Sequence, residues 1–181
     1  MYHDVIIAGT GGQGILLIGN LLAETAMDEG REVTFLPSYG VEMRGGNANC
    51  TVVVSDTEVG SPAVSAPQVL IALSKNAQML FEPKVLEKGV LILNSSLVPP
   101  DDIERKDIEL ISHPFNEIAA EIGNSRLANI VALGLYVVKS GVVSLDSLEN
   151  RITEVFSGRG KKLLAQNVEA VLKGASLING R

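Results

Sequence analysis

Val5-Ile6-Ile7-Ala8-Gly9-Thr10-Gly11-Gly12-Gln13-Gly14-Ile15-Leu16-Leu17-Ile18 is the stretch that decides the fold. It opens as a continuous apolar run of the kind that forms a strand buried on both faces. Glycines then crowd the chain, and Ile15, Ile18, Leu22 and Ala26 follow at helical spacing along one face up to about Glu29, with Gly30 as a stop. Strand, glycine turn and helix in immediate succession predict the opening unit of an α/β domain. The uncharged run from Val5 to Ala23 is 19 residues long, enough in principle to span a bilayer. Its five glycines and the absence of Lys or Arg from Met1 to Asp4 argue against a membrane span or signal peptide. A cytoplasmic, soluble protein with no membrane partner is expected.

Composition narrows the class. The chain has 181 residues, 46% of them hydrophobic and 20% charged, so one domain over residues 1–181 with a large core is expected. A net charge of -6 and an aromatic content of 4% argue against nucleic acid as a partner. The one cysteine excludes an intrachain disulfide, and no four-cysteine cluster or CxxC zinc site can be built from this chain alone. His3, near a flexible start, and His113, at a strand end, are too isolated to suggest a metal site. Cys50, in mid-strand, is expected to be an inert buried thiol.

Further strands are predicted at Glu32 to Leu36, ended by Pro37, and at Asn49 to Ser55, where Cys50, Val52 and Val54 share a face. A turn at Asp56-Thr57 with a short returning strand through Glu58-Val59-Gly60 would make the sheet mixed. Val69 to Leu73, Val90 to Leu93 and Ile108 to Ile111 complete the strands, with a helix from Lys75 to Glu82 between the first two. The remainder is helical: Phe115 to Ile122, Leu127 to Lys139, Leu145 to Phe156 with Ser144 as its cap, and Lys161 to about Leu177. Leu127 to Val138 is apolar nearly all round and should be buried. The expected architecture is α/β and Rossmann-like: an open, mainly parallel but mixed sheet, helices on both faces, and a helical C-terminal part.

Two loops carry chemistry. Gly9-Thr10-Gly11-Gly12-Gln13-Gly14 fits GxGxxG in the right context, where glycines admit close approach of a ligand and helix N–H groups face an anion. The bland alternative is a tight turn with no ligand. The second half of a dinucleotide signature is missing, since Val33-Thr34-Phe35-Leu36 leads into Pro37-Ser38 with no acid to hold a ribose. The second loop, Pro37 to Cys50, places Tyr39, Glu42, Arg44, Gly45 and Gly46 at the ligand side of such a sheet. Its bland alternative is a surface loop with a local Glu42–Arg44 pair. Lys161-Lys162 is more simply a solvated helix start.

Together, GTGGQG at 9–14 and SYGVEMRGG at 38–46 resemble the gamma subunit of 2-oxoacid:ferredoxin oxidoreductases. The likeness continues through Asn47-Ala48-Asn49-Cys50-Thr51, the Gly60-Ser61-Pro62 turn and the Val69 strand. Tyr39, Glu42 and Arg44 look most like the 2-oxoglutarate branch, whereas pyruvate-type chains more often carry Phe at the position of Tyr39. The resemblance implies an accessory subunit, without catalytic residues or metal ligands of its own, in an enzyme that converts a 2-oxoacid and coenzyme A to acyl-coenzyme A and CO2 and reduces ferredoxin. Thiamine diphosphate, magnesium and iron–sulfur clusters are implied on the alpha and beta subunits, with delta as an optional fourth chain. Gly11, Gly12, Gln13, Gly14, Tyr39, Glu42, Arg44, Gly45 and Gly46 are the implied contacts to coenzyme A or a neighbouring subunit. In isolation a homodimer, or a monomer with an exposed apolar patch, is expected. The alternatives are a stand-alone Rossmann-like nucleotide-binding oxidoreductase, or the gamma subunit of the pyruvate or branched-chain 2-oxoacid enzyme.

Overall fold

The computed structural model describes residues 1–39 and 46–178. Six strands, β1 (Tyr2–Thr10), β2 (Glu32–Tyr39), β3 (Asn47–Ser55), β4 (Val69–Ala72), β5 (Val90–Asn94) and β6 (Glu109–His113), form one sheet in the order β2-β3-β1-β4-β5-β6. β1, β4, β5 and β6 are parallel, and β3 runs antiparallel to both β1 and β2. The mixed character of the sheet is thus as expected, but its hairpin is β2–β3. No strand forms at Glu58-Val59-Gly60. The reason is that β1 and β2 occupy both edges of β3, leaving it no free hydrogen-bonding edge for a returning strand. β2 also continues past Pro37, which lies opposite Cys50. Proline is tolerated there because β2 is an edge strand and one of its sides needs no ladder donors.

Six α-helices follow the same alternation: α1 (Ile15–Asp28), α2 (Lys75–Phe81), α3 (Phe115–Glu121), α4 (Ala128–Ser140), α5 (Leu145–Phe156) and α6 (Lys161–Ser176). Val5 and Ile7 of β1 join Cys50, Val52 and Val54 of β3 in a core with α1 and α4, while Ile6 and Ala8 face the other way toward Ala77 of α2 and Val85. Helices therefore cover both faces, with α2 alone among the α-helices on the second. α5 and α6 stack outside α1 and α4 and form the helical C-terminal part. α4 is buried from Asn129 to Val137, as its all-round apolarity requires. Ser144 caps α5 by accepting from the Ser147 N–H at 3.1 Å.

His3 departs from expectation. It belongs to β1, and its ring centroid lies 5.8 Å from that of the buried Tyr136 on α4. Cys50 behaves as its position demands: it is fully buried, and burial pushes its thiol up to about 12. No helix among the described residues is long and apolar enough to cross a membrane.

Candidate functional site

The parallel strands β1, β4 and β5 end on one side of the sheet, and the glycine turn leaves β1 there. Chain direction reverses at β1: its connection runs through α1 on one face, while β4 leads into α2 on the other. Open α/β sheets bind ligands at such a switch point.

The turn is held by side-chain amides. Gln13 Oε1 accepts from the Thr10 N–H at 2.6 Å, and Gln13 Nε2 donates to the Leu73 carbonyl at 2.9 Å. Gln13 thus bridges the ends of β1 and β4 and spends its amide on the protein's own backbone. Gly12 and Gly14 have φ of 98° and 70°, values that L side chains rarely adopt. A Cβ at Gly12 would meet open space, so that face of the turn is free to receive a ligand. The Gly14 carbonyl accepts from Asn129 Nδ2 at 3.1 Å, tying the start of α1 to α4. The first turn of α1 carries no acidic side chain, so nothing there offsets the positive end of its dipole.

Two cavities flank this turn. One, of about 220 Å³, is lined by Gly12, Gln13, Leu73, Asn94, Asn116 and the segment Ser125 to Asn129 apart from Leu127. The other, of about 250 Å³, shares Gly12, Gln13, Arg126 and Asn129 and extends to Phe156 and Asn167. Asn94 shapes the first cavity. Its Oδ1 accepts from the Phe115 N–H at 3.2 Å and its Nδ2 donates to Asn116 Oδ1 at 2.8 Å.

Gly11, Gly12, Gln13 and Gly14 therefore sit together at the cleft, and Gly46 joins them through its carbonyl, which accepts from the Gly11 N–H at 2.8 Å. Tyr39 pairs with Ala48 at the same end of the sheet. Glu42, Arg44 and Gly45 lie outside the described residues. Sequence reasoning missed Asn94, Asn116, Arg126 and Asn129. Two of these had a signal: Asn94 ends an apolar strand on the ligand side, and Asn129 is a polar interruption in an otherwise apolar helix. Among the described residues, no group of three or more His, Cys, Asp or Glu side chains could hold a metal ion.

The missing ribose acid has a structural counterpart. In a dinucleotide-binding Rossmann sheet the second strand lies beside the first. Here β3 separates β2 from β1, so the end of β2 is not adjacent to the glycine turn.

Residues 4–177 match the family model described as pyruvate ferredoxin/flavodoxin oxidoreductase. The chain belongs to this family. It is 38% identical over 173 residues to the ketoisovalerate oxidoreductase subunit VorA of Methanothermobacter marburgensis, a match covering 94% of this chain and 35% of that one. The chain thus spans about a third of the length of that relative. It is 33% identical over 185 residues to the 2-oxoglutarate synthase subunit KorC of the same organism, covering 98% and 97% of the two chains. The gamma subunit of a keto/oxoacid ferredoxin oxidoreductase from Geobacter sulfurreducens superposes with a TM-score of 0.83 at 29% identity, covering 99% of both chains. Family members with this fold thus include proteins named for different 2-oxoacids, and the likeness does not select one of them.

Proposed function

We propose that this chain is the gamma subunit of a cytoplasmic 2-oxoacid:ferredoxin oxidoreductase, with 2-oxoglutarate as the substrate. The overall reaction would convert 2-oxoglutarate and coenzyme A to succinyl-coenzyme A and CO2, delivering two electrons to ferredoxin. The observation that carries this proposal is the family match from residue 4 to 177, which takes in the glycine turn and all of the sheet but the first two residues of β1. The choice of 2-oxoglutarate is supported by the Tyr39-Gly40-Val41-Glu42 sequence.

Alpha and beta subunits would supply the thiamine diphosphate, magnesium and iron–sulfur centres, which do the decarboxylation and electron transfer. The contribution of this chain is binding. Gly12 leaves room for a ligand at the start of α1, Gln13 and Asn129 hold the turn in shape, and helix N–H groups offer donors to a phosphate of coenzyme A. The stand-alone dinucleotide enzyme is disfavoured by the strand order and by the lack of an acid after β2.

Reconstitution tests the proposal. The isolated chain is expected to show no 2-oxoacid oxidation, no iron–sulfur absorbance, and no affinity for NAD or FAD tighter than about millimolar. Mixed with the alpha and beta subunits, it should enter a stable complex that reduces ferredoxin with 2-oxoglutarate and coenzyme A. Turnover by the chain alone, or micromolar NAD binding, would overturn the assignment. A complex that prefers pyruvate or a branched-chain 2-oxoacid would overturn the substrate choice only.

A further inference from the structure

Helix α6 packs on α4 through a buried face that includes Asn167, Ala170, Val171 and Gly174. Its outer face carries a second apolar stripe. Lys161, Ala165, Val168 and Leu172 recur at i, i+4, i+7 and i+11, the spacing of a helix seam, with Leu164 beside them. These residues line a groove of about 660 Å³, larger than either cavity at the glycine turn and sharing no residue with that turn. Leu172 is 43% exposed, and Ala165 is exposed as well.

Two charges frame the stripe. Lys161 stands at its start and Glu169 lies beside Val168, and among the described residues neither has an ion pair or a side-chain hydrogen bond. Charges on one helix pair when they are three or four residues apart. These two are eight apart, about 12 Å along the axis. Lys173, the other charge in the groove lining, is already paired with Glu121 at 3.7 Å. Two unlike, unpaired charges set apart along one apolar seam are satisfied together by the same helix running the opposite way.

We propose that this face of α6 docks a second copy of the chain, α6 against α6, antiparallel about a two-fold axis beside Ala165. In that register Lys161 of each copy lies level with Glu169 of the other, since both positions are equally far from Ala165, and the contact is made twice. Ala165 and Leu164 meet their counterparts near the axis, the small residue allowing close approach and the large one filling the space next to it. Val168 and Leu172 lie further out, against the aliphatic stem of the second copy's Lys161. The pairing runs along only about 24 Å of helix. The dimer is therefore weak, and its exposed ion pairs set register more than affinity. The proposal does not depend on the coenzyme A reading or on the choice of 2-oxoacid.

Sedimentation of the isolated full-length chain between about 1 and 200 µM tests the surface. A reversible monomer–dimer equilibrium is expected. Leu172→Glu should weaken it about tenfold or more while the monomer keeps its circular dichroism. Lys161→Glu and Glu169→Lys should each weaken it, and the double variant Lys161→Glu/Glu169→Lys should restore it. Ala165→Cys should cross-link to itself under mild oxidation, because residues beside the axis come within disulfide reach. Leu172→Cys, about 10 Å along the helix from the axis, should not. A chain that stays monomeric throughout, or a dimer indifferent to Leu172→Glu, would overturn the proposal. A double variant no better than the single ones would overturn the antiparallel pairing. A monomer whose Leu172→Glu variant fails to join the alpha and beta subunits would overturn the second copy as occupant and give the face to one of those subunits.

Discussion

Gln13 shows how one side chain can serve a ligand site without touching the ligand. Its amide satisfies the Thr10 N–H and the Leu73 carbonyl, two backbone groups at neighbouring strand ends. An unmade hydrogen bond at a buried group costs about 1–3 kcal/mol, more than a formed one contributes. Gln13→Ala is therefore expected to lower unfolding stability by about 1–3 kcal/mol, read as a fall in the urea midpoint with an unchanged slope. Gln13→Glu keeps the acceptor for Thr10 but sets an oxygen against the Leu73 carbonyl, and should fall at or beyond the alanine variant. An alanine variant as stable as the wild type would show that solvent replaces both bonds. The GxGxxG pattern announces the glycines and is silent on the residue between the last two, whose role depends on β4 lying beside β1.

At the scale of elements, α4 and α6 cross so closely that two glycines face backbone. A Cβ at Gly134 would strike the carbonyl of Val171, and one at Gly174 would strike the carbonyl of Val131. Glycine inside a helix costs up to about 1 kcal/mol relative to alanine, so the close crossing must return more than that. Gly174→Ala is expected to destabilise by about 1–3 kcal/mol despite the better helix former, since backbone cannot yield as a side-chain tip can. Gly158→Ala, where nothing lies within 4 Å, should stay within about 0.5 kcal/mol of the wild type. Equal melting temperatures for the two variants would refute the packing account. These helices were legible in the sequence because apolar spacing and caps are local, as were all six strands within a few residues. The returning strand expected after Ser55 does not form, and this was not legible because the edge of β3 it would need is taken by β2, more than ten residues upstream. Arg126 escaped for a related reason. Its distance from the glycine turn is set by α4 packing against α1, while Arg44 stood out only because it lies inside a motif.

At the scale of the whole molecule, pH acts through a pair of neighbours at the start of β1. Burial lowers the pKa of His3, opposed by the nearby Asp4 charge, and His3 Nε2 has no hydrogen-bond partner. Burial raises the pKa of Asp4, whose Oδ1 accepts from the Gln68 N–H at 2.8 Å. The phenol of Tyr136, packed on His3, is raised by burial and stays neutral throughout the acidic range. The signs differ. As pH falls through about 6.5, the unfolded chain protonates its histidine before the folded chain does, so His3 makes folding less favourable toward acid. Asp4 acts oppositely and lower, because the folded state takes up its proton first as pH falls toward the ordinary carboxylate range. The expected outcome is a loss of thermal stability between pH 7 and the lowered pKa of His3. His3→Phe keeps a ring against Tyr136 and removes the titration, so it should flatten that limb while leaving the more acidic one in place. Melting temperatures measured across this range decide the matter: parallel curves for the wild type and His3→Phe would overturn the assignment of this limb to His3.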